Sequence, residues 1–238
     1  MDESTQISRR ATLAKLGGLL AGAVAVGGLK TADSLSATEE EASGAGPAGV
    51  ESGAVTCVLA PEQTEGPYYL DDASVRRNVT EGKAGVPLVL RLSVVSASTC
   101  KPSKGAAVEI WHCDAGGIYS GTSVQGTQDE RFLRGVQRTD AKGLALFRTI
   151  YPGWYPGRAV HIHFKIRSGN SEFTSQFFFD DAFSEQVFTQ APYSAKGAGF
   201  LRNPNDGIYR QSNGQTTLQV TRSGSAYAAS FDIGMQGV

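Results

Sequence analysis

Ala159-Val160-His161-Ile162-His163-Phe164-Lys165-Ile166 decides how this chain is read. Val, Ile and Phe dominate it, no helix-breaking residue interrupts it, and every second position can face the same way, which is the pattern of a β-strand. Side chains alternate along a strand, so His161 and His163 project to one side while Ile162 points to the other. Two imidazoles on one face can serve one ion. Tyr119 and Tyr155 add two phenols to the candidate set. Phenolates are hard anionic donors that favour iron in its higher oxidation state, whereas zinc sites lean on thiolate, imidazole and carboxylate. The expected metal is Fe(III), bound without haem.

Outward from that strand the signals are those of a β protein. Leu88 to Ser96, Ala106 to Cys113, Leu144 to Ile150, Phe173 to Phe179, Thr216 to Thr221 and Ala226 to Ile233 read as further strands. Clusters such as Thr139-Asp140-Ala141-Lys142-Gly143 and Arg167-Ser168-Gly169-Asn170 punctuate them as turns. Helix is scarce, with one or two turns expected over Ser184 to Thr189, and there is no internal repeat. The fold class is all-β: a two-sheet β-sandwich with long active-site loops and little helix.

The N-terminal part reads differently. Ser8-Arg9-Arg10-Ala11-Thr12-Leu13 opens a twin-arginine pattern, and Gly17 to Leu29 is an uncharged run of Ala, Gly, Val and Leu, so residues 1–36 are expected to be an export signal. The run is too short and glycine-rich for a membrane span, and no Cys follows it as a lipid anchor. Residues 37–54, rich in Glu, Ser, Gly and Ala, cannot bury enough surface to offset ordering and read as a flexible linker. Residues 55–238 then form one domain, exported by the twin-arginine route to an extracellular or periplasmic location. A formal net charge of −1 with scattered signs argues against nucleic acid as a partner. Cys57, Cys100 and Cys113 allow at most one intramolecular disulfide, in any of three pairings, and their spacing matches no zinc pattern.

Several motifs occur in order: Thr64-Glu65-Gly66-Pro67-Tyr68-Tyr69; Val108-Glu109-Ile110-Trp111-His112-Cys113-Asp114-Ala115-Gly116-Gly117-Ile118-Tyr119; Arg134-Gly135-Val136-Gln137-Arg138-Thr139-Asp140; and Phe147-Arg148-Thr149-Ile150-Tyr151-Pro152-Gly153-Trp154-Tyr155-Pro156-Gly157-Arg158, which leads into the histidine pair. A lone His-x-His would say little. In this order, from about Cys57 to the C-terminus, the motifs resemble the intradiol ring-cleavage dioxygenases, which include the catechol and protocatechuate dioxygenases.

That resemblance implies a β-sandwich with iron held between strand ends and loops, by Tyr119, Tyr155, His161 and His163. It implies a catechol-type substrate and dioxygen as reactants, cleavage between the two hydroxylated carbons, a muconate-type product and no organic cofactor. Tyr155 is the phenolate expected to leave the metal and take a substrate proton. Arg158 is expected beside bound substrate, where a permanent cation can stabilise charge developing on the ring. Gln176 matches a glutamine near the oxygen-binding region, Gly66, Pro67 and Tyr68 a segment that closes the substrate pocket, and Trp111 a position in the pocket wall. His112 alternates away from Trp111 and Cys113 and stays outside the metal set.

Two other readings compete. One is a copper or zinc hydrolase built on His161 and His163; the other is a secreted β-sandwich module that binds metal or aromatics without turnover. Extradiol enzymes need two His and a carboxylate on Fe(II), and here tyrosines stand where that carboxylate would. The catechol-cleaving branch usually carries a helical N-terminal dimerisation region, replaced here by signal and linker, so homo-oligomerisation stays open. Protocatechuate would need a cation near its carboxylate and hydroxyquinol an acceptor for its third hydroxyl, and the sequence places neither.

Overall fold

The computed structural model describes residues 60–236; the expected export signal and linker lie outside the described residues, as do Val55 to Leu59 of the expected domain. Nine strands occur in chain order: β1 (Pro87–Ser96), β2 (Ala107–Trp111), β3 (Arg134–Arg138), β4 (Leu144–Ile150), β5 (His161–Ser168), β6 (Ser171–Phe179), β7 (Thr217–Leu218), β8 (Val220–Ser223) and β9 (Ala226–Met235). They form a four-stranded sheet in the order β4-β1-β9-β8 and a five-stranded sheet in the order β3-β2-β5-β6-β7. Both sheets are mixed, because β1 runs parallel to β9 and β6 parallel to β7 while the other pairs are antiparallel.

Alternation explains how the sheets meet. From β1, Leu88, Leu90, Leu92 and Val94 are fully buried, as are Val108 and Ile110 of β2 and Ile162, Phe164 and Ile166 of β5. These join Phe177, Phe179, Phe147, Phe231 and Ile233 in one core between the sheets. Phe164 and Phe177 stack there at 4.0 Å, a contact that adds about 0.5–1.5 kcal/mol beyond simple area burial. Each large aliphatic or aromatic side chain removed from water in this layer contributes on the order of 1.5–3 kcal/mol.

The opposite face of the five-stranded sheet carries the polar residues of the same strands. Trp111 pairs across to His163, and His163 to Gln176; one step further along the strands, Glu109 pairs with Lys165 and Lys165 with Thr174. β5 is nevertheless buried on both sides, because residues 63–71 lie over this outer face. Gln63 N donates to Thr174 O at 2.8 Å, Lys165 Nζ to Glu65 Oε2 at 2.8 Å, and Arg167 to Tyr69 Oη and to Asp71 Oδ1. Lys165 also sits over the Tyr69 ring, 4.2 Å from its centroid.

Three expectations need correction. The run Thr216 to Thr221 is two short strands in different sheets, β7 and β8, and not one. β3 is a strand that the sequence did not announce, since Arg-Gly-Val-Gln-Arg lacks an apolar alternation. The helix begins earlier than Ser184: α1 spans Asp181–Phe188, because the Asp180 side chain caps it by accepting from Phe183 N. A second short helix, α2 (Gly207–Gln211), is capped in the same way by Asp206. No helix among the described residues is long and apolar enough to cross a membrane.

Candidate metal centre and active site

The start of β5 brings four side chains to one point. His161 Nε2 lies 3.1 Å from Tyr155 Oη, 3.1 Å from His163 Nε2 and 3.4 Å from Tyr119 Oη. His161, His163 and Tyr119 are buried, whereas Tyr155 is half-buried. His161 and His163 share a face by strand alternation, as expected. Tyr119 follows the Asp114–Ile118 turn, in which the Asp114 side chain accepts from Gly116 N and Ile118 N. Tyr155 reaches back toward the strand that its own loop enters.

The protonation of His161 follows from its other nitrogen. Nδ1 lies 2.7 Å from Ala159 O, and a carbonyl only accepts, so Nδ1 carries the proton and Nε2 presents a lone pair. A single lone pair accepts one good hydrogen bond, yet three polar atoms are directed at it. His163 Nδ1 has no protein partner although it is buried. Atoms 3.1–3.4 Å apart are spaced as ligands that share one ion with bonds of about 2 Å. The donor set therefore fits a single cation better than it fits a network of ordinary hydrogen bonds. Among the described residues no group of three or more His, Cys, Asp or Glu is placed to hold a metal.

Burial shapes the titration of these groups. Removal from water, and then the Arg158 charge, hold His161 down at about 3, and burial likewise holds His163 well below the ordinary imidazole value. Burial pushes the Tyr119 phenol well above its usual value and Tyr155 up to about 12, with Arg158 pulling Tyr155 the other way. The phenols thus keep their protons at neutral pH unless a cation replaces them.

Aromatic rings wall this point. Trp111 stacks on His163 with centroids 4.9 Å apart and planes at 8°, and Tyr69 packs on Trp111 at 5.0 Å. Tyr68 stacks on Tyr119 at 4.5 Å and meets Tyr155 edge-on at 6.2 Å. Gly66 lies against His163, while Pro67 is exposed beside it. His112 points to the opposite side of its sheet: its Nδ1 donates to Cys113 O at 2.8 Å and its Nε2 accepts from Thr149 Oγ1 of β4 at 2.7 Å. Cys113 is free and buried, and burial pushes its thiol up to about 12, which leaves it a poor metal ligand. Cys100 is disulfide-bonded, and Cys57 lies outside the described residues.

Arg158 and Gln176 are joined. Arg158 Nη2 donates to Gln176 Oε1 at 2.6 Å, and Gln176 Nε2 donates to Thr64 O at 2.9 Å. Two residues that sequence reasoning did not single out complete this group. Asp206 forms a 2.9 Å ion pair with Arg158, and Gln63 Oε1 accepts from Gln176 N at 3.2 Å. The only sequence signal at Asp206 is Asn205-Asp206-Gly207, which reads as a turn.

A family model described as "Dioxygenase" matches residues 64–202, and these include both tyrosines and both histidines. The chain belongs to the intradiol ring-cleavage dioxygenase family. A solved structure titled an intradiol ring-cleavage dioxygenase from Tetranychus urticae is 33% identical, aligns with a TM-score of 0.70, and the alignment covers 76% of this chain and 96% of that one. Catechol 1,2-dioxygenase 1 of Acinetobacter lwoffii is 32% identical over 142 residues, covering 49% of this chain and 45% of the relative. The protocatechuate 3,4-dioxygenase beta chain of Burkholderia cepacia is 31% identical over 173 residues, covering 65% of this chain and 68% of that family member. The chain spans about half the length of the catechol-type relatives it matches, 45% and 52% of them.

Proposed function

We propose that the chain is a non-haem Fe(III) dioxygenase that opens the ring of catechol-type diols between the two hydroxylated carbons, placing both atoms of dioxygen in a cis,cis-muconate-type dicarboxylate. The observation that carries this reading is the meeting of Tyr119, Tyr155 and His163 at the unprotonated Nε2 of His161. Two imidazoles and two phenols, without a carboxylate or thiolate, suit a hard trivalent ion and exclude the set that an Fe(II) extradiol site needs. A ferric ion held there would withdraw electron density from a chelated diol and open its ring carbons to dioxygen.

The chain's own residues supply the rest. Tyr155 is half-buried where Tyr119 is sealed, so Tyr155 is the phenol free to swing away and accept a proton from the incoming diol at Oη. Arg158 places a permanent positive charge beside Tyr155 and His161, where it offsets negative charge developing on the ring. Trp111 and Tyr68 hold the walls, and Gly66 and Pro67 roof the site and limit the approach of water. Gln176 accepts from Arg158 Nη2 while Asp206 accepts from its Nε, so the two fix the guanidinium together. The twin-arginine pattern and the apolar run behind it support export to an extracellular or periplasmic location, where the enzyme would meet free diols.

The decisive experiment measures oxygen uptake with catechol, protocatechuate, hydroxyquinol and alkylated catechols, with iron assayed in the same sample. Stoichiometric iron, a visible phenolate-to-iron band and diol-dependent uptake are expected. Protein that stays colourless after reconstitution with ferric salts would overturn the metal assignment. Coloured protein that consumes no oxygen with any diol would leave a binding module in place of an enzyme.

A further inference from the structure

Arg158 is gripped by a carboxylate, Asp206, that lies outside the family-matched segment and in none of the motifs. Asp206 is 2% exposed, and its two oxygens are fully engaged. Oδ2 accepts from Arg158 Nε at 2.9 Å and from Ala159 N at 2.8 Å; Oδ1 accepts from Ile208 N at 2.8 Å and Tyr209 N at 3.2 Å. Four donors use essentially all the lone-pair sites of one carboxylate, so none is left for a substrate or a metal. Burial alone would raise this carboxyl, but the bond from Ala159 and the charge of Arg158 outweigh it and keep the group ionised.

Ala159 extends the reach of that carboxylate. Its N–H is tied to Asp206, and its carbonyl accepts the Nδ1 proton of His161 at 2.7 Å. One buried charge therefore orients a guanidinium on one side and, through the backbone of a single residue, sets the tautomer and ring plane of an imidazole on the other. Arg158 is clamped at two nitrogens, Nε by Asp206 and Nη2 by Gln176, and neither bond uses Nη1.

We propose that Asp206 is a positioning residue for this site: it aims Arg158 so that Nη1 faces the bound diol, and through Ala159 it holds His161 with Nε2 toward the other donors. The role rests on the dioxygenase reading above. It differs from simple capping of α2, which Oδ1 performs alone and which any Asn or Ser could supply.

The test is a double-mutant cycle on iron-loaded protein, with Asp206→Asn and Arg158→Ala made singly and together. Both N-cap chemistry and shape survive in Asn, but its amide nitrogen faces Arg158 and Ala159 N in place of an oxygen. Asp206→Asn is expected to lower kcat and kcat/KM together by about 10–100-fold, the usual cost of disturbing a residue that orients another. In the Arg158→Ala background the same change, with rates taken per bound iron, should cost no more than about 2-fold, because the pair acts as a unit. The rate of iron transfer to a competing chelator should rise with Asp206→Asn in either background.

Wild-type kcat in folded Asp206→Asn would overturn the Arg158 role, as would a full loss retained in the Arg158→Ala background. Unchanged iron release would overturn the His161 role. If Asp206→Asn does not fold, Asp206→Ser, which still caps α2 and also lacks the charge, carries the same cycle. Wild-type protein that holds iron but consumes no oxygen would count against the dioxygenase reading, and the chelator measurement would still decide the His161 role.

Discussion

Gly66 presses on the imidazole of His163: a methyl group built on its α-carbon would lie 3.3 Å from Cε1 and 3.8 Å from Nε2. Its φ of +72° is left-handed, so a side chain there is strained as well as crowded. Gly66→Ala is expected to lower stability by about 1–2 kcal/mol through backbone strain. It should also reduce iron occupancy by tilting His163. Thermal melting and metal content, measured on the same preparation, check both effects.

Tyr155→Phe keeps the ring that meets Tyr68 and Tyr119 but deletes the Oη that lies 3.1 Å from His161 Nε2. The variant should fold, lose most of the visible band and turn over at least about 100-fold more slowly, the scale on which a positioned acid-base group contributes. Absorbance spectra and single-turnover rates read the outcome. An unchanged spectrum would remove Tyr155 from the metal set.

Replacement of His161 or His163 by Ala removes one of two buried nitrogen donors and leaves the phenols without an intact site. Either variant should retain less than about a tenth of the wild-type iron, in line with the loss expected when the shell around a metal is broken. Metal analysis after gel filtration gives the answer. Full occupancy in either variant would contradict the assignment.

His112 links the two sheets by accepting from Thr149, and burial holds its pKa down at about 4, against an ordinary value of 6.5. The native state keeps this ring neutral while the unfolded chain protonates it, so the unfolded state binds more protons between those values. The contribution of His112 to stability is complete above about pH 6.5 and falls away as the pH drops toward about 4. The total is on the order of 3 kcal/mol at about 1.4 kcal/mol per pH unit. Urea titrations from pH 7 to 4.5 should show a shallower pH slope for His112→Gln than for the wild-type chain.

The strands that the sequence revealed are those with one aliphatic face. Leu88-x-Leu90-x-Leu92-x-Val94 and the alternation around Ile162, Phe164 and Ile166 follow from burial on one side, which leaves a trace in composition. β3 left none, because its Gly135 lies against Val79 and Val136 is flanked by charged or polar positions, with no second apolar residue to alternate with. The division of Thr216 to Thr221 between two sheets was invisible for another reason: strand pairing is decided by partners far away in sequence.

The four candidate donors could be named because strand alternation puts His161 and His163 on one face and because the motifs around Tyr119 and Tyr155 resemble those of the family. Asp206 and Gln63 were not legible. They act through hydrogen bonds formed only after residues 63, 158, 176 and 206 come together from four segments, and an Asp in a turn looks the same whether or not it holds an arginine.

β5 turns Ile162, Phe164 and Ile166 inward and His161, His163 and Lys165 outward, so its hydrophobic layer and its reactive groups are the same eight residues seen from two sides. Adding or deleting one residue within this strand would drive imidazoles into hydrocarbon and bare phenylalanine to the donors. Gaining or losing two would keep the facing and carry the histidines nearly 7 Å along the strand, away from both tyrosines. Insertions or deletions are therefore expected to be tolerated in the connecting loops and not within β5.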